Sequence, residues 1–211
     1  MSHIVLLGDS IFDNGVYVPG EPDVVRQLQA ALPEGWRATL LAVDGAVTRS
    51  VKAQLDRLAA DATHLVVSVG GNDALGESHV LGAAVRNVGE GVALLAAAQD
   101  RFGRDYQEML EAVLAKGLPT ALCTIYDTPA SAPNHRIIKT GIAIFNDVIT
   151  RAAFAAALPL IDLRLICGED DDYANPIEPS AKGGDKIARA IASLVTGAAG
   201  AVSTVVARAP G

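Results

Sequence analysis

The sequence predicts an α/β protein built as a single doubly wound domain, with a five-stranded parallel sheet flanked by helices. Three observations predict it. Five short runs, at residues 3–9, 38–43, 64–69, 119–125 and 158–166, are apolar throughout instead of alternating, which marks strands buried on both faces of a parallel sheet. Segments of helical period separate these runs, so consecutive strands are joined by right-handed crossovers. The length of 211 residues with 50% hydrophobic side chains suits one domain with a full core and is too apolar for disorder.

The first run, Ile4-Val5-Leu6-Leu7, leads to a segment from Pro22 to Leu32 in which Val24, Val25, Leu28 and Leu32 share one helical face. After the second run, Val51, Leu55 and Leu58 repeat that spacing, with Lys52, Asp56 and Arg57 turned outward. The third connection, from about His79 to Lys116, has room for two helices with Gly103 near their join. It ends in Lys116-Gly117-Leu118-Pro119, a cation, a glycine stop and a proline just beyond. A fourth helix is expected from about Arg136 to Ala156, and a last one from about Ser180 to Val195. The domain thus covers 1–195, and residues 196–211 form a low-complexity tail of Ala, Gly, Val and Ser that adds an edge strand or remains mobile.

Charge and cysteine usage exclude several function classes. With 17 Lys+Arg against 24 Asp+Glu and a net charge of -7, the chain offers no field to attract nucleic acid or an anionic membrane surface. Cys123 and Cys167 each sit inside an apolar run, which argues against a disulfide framework and a cysteine zinc site. No apolar run approaches the roughly 20 residues of a membrane span. Met1-Ser2-His3 runs straight into the first strand without a basic, cleavable leader, so the expected location is the cytoplasm.

In an open parallel sheet, ligands bind beyond the carboxyl ends of the strands. Those ends are polar here: Gly8-Asp9-Ser10, Asp44-Gly45, Gly70-Gly71-Asn72-Asp73 and Tyr126-Asp127. Ser10, at a strand-to-loop turn, is the candidate nucleophile. The N–H groups of Ser10 and Gly45 and the side-chain amide of Asn72 are candidate donors to an oxyanion. Asp9, Asp44 and Asp73, with Asp13 and Asn14, are supporting groups that position loops by side-chain to backbone hydrogen bonds.

These blocks resemble those of the SGNH (GDSL-type) hydrolases: a GDS near the N-terminus in GDSIFDN, a glycine after strand two in VDGAVTRS, and GxND at 70–73. The resemblance spans nearly the whole chain. It implies a flavodoxin-like SGNH hydrolase fold and a serine hydrolase of esterase type that needs no cofactor and no metal. Ser10 would be the nucleophile, with Ser10, Gly45 and Asn72 as the oxyanion hole. The family's DxxH block, which precedes the last helix, reads Asn175-Pro176-Ile177-Glu178 here, followed by Pro179-Ser180 and Gly183 in register. The usual histidine base is replaced by Glu178 and the usual aspartate by Asn175, a supporting residue that cannot act as the acidic orienter of an imidazole, which a glutamate base would not need.

Three groups are therefore candidates for the base. Glu178 occupies the aligned position, and burial would raise its pKa toward the range a base needs. His79 and His135 lie in loops that open on the same rim. His3 and His64 precede strands one and three, so they are expected on the surface at the opposite end of the sheet. Glu169-Asp170-Asp171-Asp172 lacks calcium-loop spacing and is expected to be a solvated loop. Asp162, inside the fifth run, requires a hydrogen-bond partner. No GxGxxG follows strand one, which argues against dinucleotide binding. The expected partner is a small-molecule ester, with no motif naming its acyl or alcohol part or an oligomeric state. The alternative reading is a small-ligand binding or regulatory protein that keeps the cleft but lost efficient catalysis with its histidine.

Overall fold

In the computed structural model, which describes residues 2–198 and Val205, the five apolar runs form one parallel sheet. Its strands are β1 (His3–Gly8), β2 (Arg37–Leu40), β3 (His64–Ser68), β4 (Thr120–Cys123) and β5 (Leu160–Ile161), in the order β2-β1-β3-β4-β5. Strand alternation divides the core into two layers. Ile4, Leu6, Val66, Cys123 and Ile161 face one side, where α1 (Val24–Ala31) and α7 (Ala181–Val195) pack. Val5, Leu7, Leu65, Val67 and Leu122 face the other, covered by α2 (Val51–Leu55), α4 (Val88–Leu114) and α5 (His135–Ala155). Apolar residues on both faces of β1, β3 and β4 are therefore a consequence of helices on both faces of the sheet, whereas the edge strand β2 is only partly buried.

The chain leaves β1 for β2 on one side and returns to β3 on the other, so the order of strands reverses between β1 and β3. That switch point opens a crevice at the carboxyl ends of the two strands. Short α3 (Gly71–Gly76) follows β3, and a small antiparallel hairpin of β6 (Tyr173–Asn175) and β7 (Glu178–Pro179) precedes α7.

Several expectations are corrected. The third connection holds one long helix, α4, preceded by the 3-10 helix Ser78–Gly82, and no join occurs at Gly103. Ala98, Phe102, Tyr106, Met109, Leu110 and Val113 form an unbroken buried stripe through that position. Burial of the stripe outweighs the ~1 kcal/mol helix penalty of one glycine. The fifth strand is two residues long because Asp162 ends it: its carboxylate accepts from the Arg164 N–H and from Thr124 Oγ1, capping α6 (Leu163–Ile166). His3 is buried, with Nε2 2.7 Å from Thr39 Oγ1 and Nδ1 3.2 Å from Asp61, while half-buried His64 stacks on Trp36. Both sit at the amino end of the sheet.

The acidic run is also more than a solvated loop. It forms the 3-10 helix Asp170–Asp172, and Asp172 is fully buried against the Lys186 ammonium. Carboxylate oxygens of Glu169, Asp171 and Asp172 gather within 4.8 Å of one another, and Lys182 and Lys186 supply their counter-charge. Cys123 and Cys167 are buried free thiols, held protonated by burial. No described helix is long and apolar enough to cross a membrane. The edge strand or mobile tail expected at 196–211 falls almost entirely outside the described residues.

Candidate active site

Gly8 ends β1 at φ +129, and a Cβ there would stand 1.7 Å from the Ser68 carbonyl oxygen. Only glycine allows β1 to turn this closely over β3. Buried Gln54 of α2 clamps the same residue, donating to the Gly8 carbonyl (2.7 Å) and accepting from its N–H (2.8 Å). The turn then carries Asp9 and Ser10, both buried, onto the crevice.

Ser10 Oγ donates to Glu178 Oε1 at 3.1 Å across 168 positions of sequence. Glu178 is only 4% exposed, and its other carboxylate oxygen has no hydrogen-bond partner. Burial raises the Glu178 pKa above the ordinary 4.5; the Ser10 hydroxyl opposes this and the Asp44 charge adds to it. Three contacts place the carboxylate. Asn175 Oδ1 accepts from the N–H groups of Ile177 (3.0 Å) and Glu178 (3.1 Å), closing the turn between β6 and β7. Tyr126 Oη donates to the Ile177 carbonyl at 3.0 Å. Fully buried Asn14 donates to the Pro179 carbonyl and accepts from the Val24 N–H, tying the Glu178 strand to the loop that follows Ser10.

Asp9 lies under Ser10 and accepts from the Ile11 N–H at 3.1 Å. Burial pushes its pKa up to about 8; the Ile11 bond works against this, while the Glu178 and Asp73 carboxylates reinforce it. Asp73 accepts from the N–H (2.9 Å) and hydroxyl (3.0 Å) of Thr48, pinning the loop after β2 to α3. Its pKa is raised by burial against those two bonds. Asn72 Nδ2 donates one hydrogen to the Ala46 carbonyl at 3.0 Å, which orients the amide and leaves its second hydrogen available. Gly45 occupies the exposed turn beside it at φ +76. Among the described residues the Ser10 and Gly45 N–H groups have no hydrogen-bond partner. Asp44 is exposed, its N–H bonded to Asp13 Oδ2 and its carboxylate to the Tyr17 hydroxyl.

The two histidine candidates do not meet Ser10. His79 is exposed on the 3-10 helix, with Nδ1 3.2 Å from the Gly76 carbonyl, and His135 opens α5 beside Thr128 Oγ1 at 3.1 Å. Asp9, Ser10, Asn72 and Glu178 line a cavity of about 220 Å³, whereas Gly45 is outside its lining.

A match to the GDSL-like Lipase/Acylhydrolase family model extends over residues 6–186, from β1 into α7. The chain belongs to the GDSL-like lipase/acylhydrolase family. Solved structures of similar fold include an extracellular lipase from Streptomyces rimosus, 18% identical, covering 94% of this chain and 100% of that one at a TM-score of 0.67. A phospholipase A1 from Streptomyces albidoflavus is 17% identical over 94% and 99% of the two chains, TM-score 0.67. The acetyl xylan esterase AlAXEase is 17% identical over 92% and 99%, TM-score 0.68. No curated protein matches the chain. At these identities the likeness concerns the fold, and the sheet order and helix layers above are those of the GDSL hydrolases.

Sequence reasoning missed Gln54 in this GDSL site, and it placed Tyr126 on the rim without assigning it a role. Gln54 had a signal: it stands on the apolar face of α2, between Val51 and Leu55, where an uncharged polar side chain requires a buried partner.

Proposed function

We propose that the protein is a serine hydrolase of carboxylic esters in which Ser10 is the nucleophile and Glu178 the general base. The observation that carries this reading is the buried hydrogen bond of 3.1 Å from Ser10 Oγ to Glu178 Oε1 at the switch point of the sheet. Glu178 takes the hydroxyl proton as Oγ bonds to the acyl carbon, and the carbonyl oxygen becomes an oxyanion. The Ser10 and Gly45 N–H groups and the free hydrogen of Asn72 are the donors to it; each is worth about 3 kcal/mol in the transition state. Collapse of the intermediate expels the alcohol, which leaves with the proton returned by Glu178. Water then attacks the acyl-serine, giving a proton to Glu178; collapse of the second intermediate breaks the bond to Oγ, which takes that proton back from Glu178, and the acid and free Ser10 result.

A carboxylate is a weaker base than imidazole by about two units, and burial narrows the gap. The pH profile of kcat/KM is therefore a bell. It rises as Glu178 ionises above the ordinary glutamate range. It falls near the Asp9 pKa of about 8, because an Asp9 carboxylate next to Ser10 opposes the oxyanion.

Hydrolysis of short aryl esters by purified wild type, Ser10→Ala and Glu178→Gln tests the proposal. Ser10→Ala is expected to abolish turnover, and Glu178→Gln to lower kcat/KM by about 10²–10⁴-fold. An unchanged rate in Ser10→Ala refutes the mechanism. A Ser10-dependent rate that survives Glu178→Gln refutes Glu178 as the base.

A further inference from the structure

The cavity beside Ser10 is polar where the strand-end loops reach it and at Glu77 and Ser78, where α3 meets the 3-10 helix. Elsewhere its walls are Leu81 of the 3-10 helix, Leu95 and Ala98 of α4, and Ile138, Ile142 and Phe145 of α5. Leu95, Ile138 and Ile142 remain partly exposed although they point between three helices. Apart from Asp9 and Glu178 beside the nucleophile, the charged residues that line the cavity are neutralised: Glu77 pairs with Arg101 at 2.7 Å and Asp127 with Lys139 at 2.8 Å. The inner part thus offers dispersion contacts and no unpaired charge to a ligand.

We infer that this cavity holds the acyl chain of the substrate, an unbranched saturated chain of about seven to nine carbons. An apolar cavity of about 150 Å³ accommodates a six-carbon ring; the 220 Å³ here, which includes the space beside Ser10 and Glu178 that the ester group takes, sets that chain length as the upper limit. The inference rests on the hydrolase reading above, which also orients the ester. Glu178 returns the proton to the leaving oxygen, so the alcohol part lies against the β6–β7 turn. The acyl part is directed past Asn72, in the first turn of α3, toward α4 and α5.

A series of p-nitrophenyl esters from acetate to palmitate tests the length. The expected kcat/KM climbs two- to four-fold per methylene up to about octanoate, the gain from moving each methylene out of water, and falls beyond it. Leu95→Trp, which fills the cavity, lowers the octanoate-to-acetate ratio ten-fold or more. Leu95→Ala, which enlarges it, moves the optimum to longer chains, so the two variants act in opposite directions. Methyl octanoate is expected to be cleaved at least ten-fold faster than octyl acetate; the reverse order would overturn the placement of the acyl chain.

Binding of octan-1-ol to Ser10→Ala, followed by calorimetry, separates this inference from the hydrolase reading. Octanol binding lost in the Ser10→Ala/Leu95→Trp double variant supports the chain site even where no ester is turned over. A flat chain-length profile in an enzyme that depends on Ser10 overturns the chain site and leaves the hydrolase reading standing.

Discussion

Replacing Asp9 with asparagine should remove a fall in stability that the wild type undergoes as pH rises. The folded carboxyl has a pKa of about 8 against an ordinary 3.8, because it is 2% exposed and faces Glu178 and Asp73. The sign follows from proton counts: between these two values the unfolded chain has released the Asp9 proton and the folded chain keeps it. Stability conferred by the neutral carboxyl is complete below the unfolded pKa and is lost as pH rises toward the folded one. From about pH 5 to pH 8 the unfolded state gains roughly three units of ionisation free energy that the folded state does not, or about 4 kcal/mol at 1.36 kcal/mol per unit. At least about half of this should be seen. Asparagine keeps the oxygen that accepts from the Ile11 N–H and has no proton to release. Urea unfolding of both proteins at half-unit pH steps is the assay. The stability of Asp9→Asn relative to wild type should increase by ~2–4 kcal/mol across the range; parallel curves would show that Asp9 ionises normally and refute the reasoning.

Two further substitutions probe the scaffold. Gly8→Ala should cost on the order of 4 kcal/mol, because its Cβ meets a backbone oxygen at 1.7 Å, whereas Gly45→Ala, at φ +76 in open space, should cost about 1–2 kcal/mol; thermal unfolding of the two compares them. Asn14→Ala strands the Val24 N–H and the Pro179 carbonyl, costing about 2 kcal/mol, and on the proposed mechanism it lowers kcat more than it raises KM because Glu178 loses its anchor. Asn14→Asp, which keeps the acceptor alone, should restore stability in part, and a kcat equal to wild type in Asn14→Ala would remove Asn14 from the positioning of Glu178.

Much of this was legible because burial writes itself into composition. Strands β1 and β3 read as continuous apolar runs since α1 and α7 on one face and α2, α4 and α5 on the other cover them. The polar strand ends read as a rim because nothing in a packed layer tolerates Gly8-Asp9-Ser10 or Gly71-Asn72-Asp73. What escaped was decided by pairing across long separations. His3 opens β1, where the sequence suggests a surface position, yet it is buried with Thr39 and Asp61 as partners. Asp172 belongs to a run of four acids, and only the fold shows that one of them is sealed against Lys186 while its neighbours face Lys182. Gly103 misled in a different way, since a local propensity was weighed without the stripe of buried side chains on either side of it. The long third connection and the segment from Asp127 to Asn134 were legible as pocket walls, and both supply lining residues; the cavity's apolar depth was not, since residues that line it have the same helical spacing as residues that fill a core.

The pairing of Asn175 with Glu178 has a physical logic on the proposed mechanism. Asn175 closes the β6–β7 turn through its side-chain oxygen, at 3.0 Å and 3.1 Å from the N–H groups of Ile177 and Glu178. An aspartate would make those same two bonds, and beside an imidazole base its charge would help by favouring the imidazolium that forms on proton transfer. Beside a carboxylate base the sign inverts. Glu178 is already biased toward its protonated form by burial and by Asp44, and a further negative charge one turn away would leave fewer molecules with an ionised base at neutral pH. Asparagine keeps the geometry of the turn and removes the charge. Asn175→Asp alone should therefore shift the acid limb of the rate profile to higher pH without unfolding the loop, whereas in a Glu178→His background the same aspartate should raise the rate. A shift of equal size and sign in both backgrounds would mean that residue 175 acts on the turn alone and that its charge has no bearing on the base.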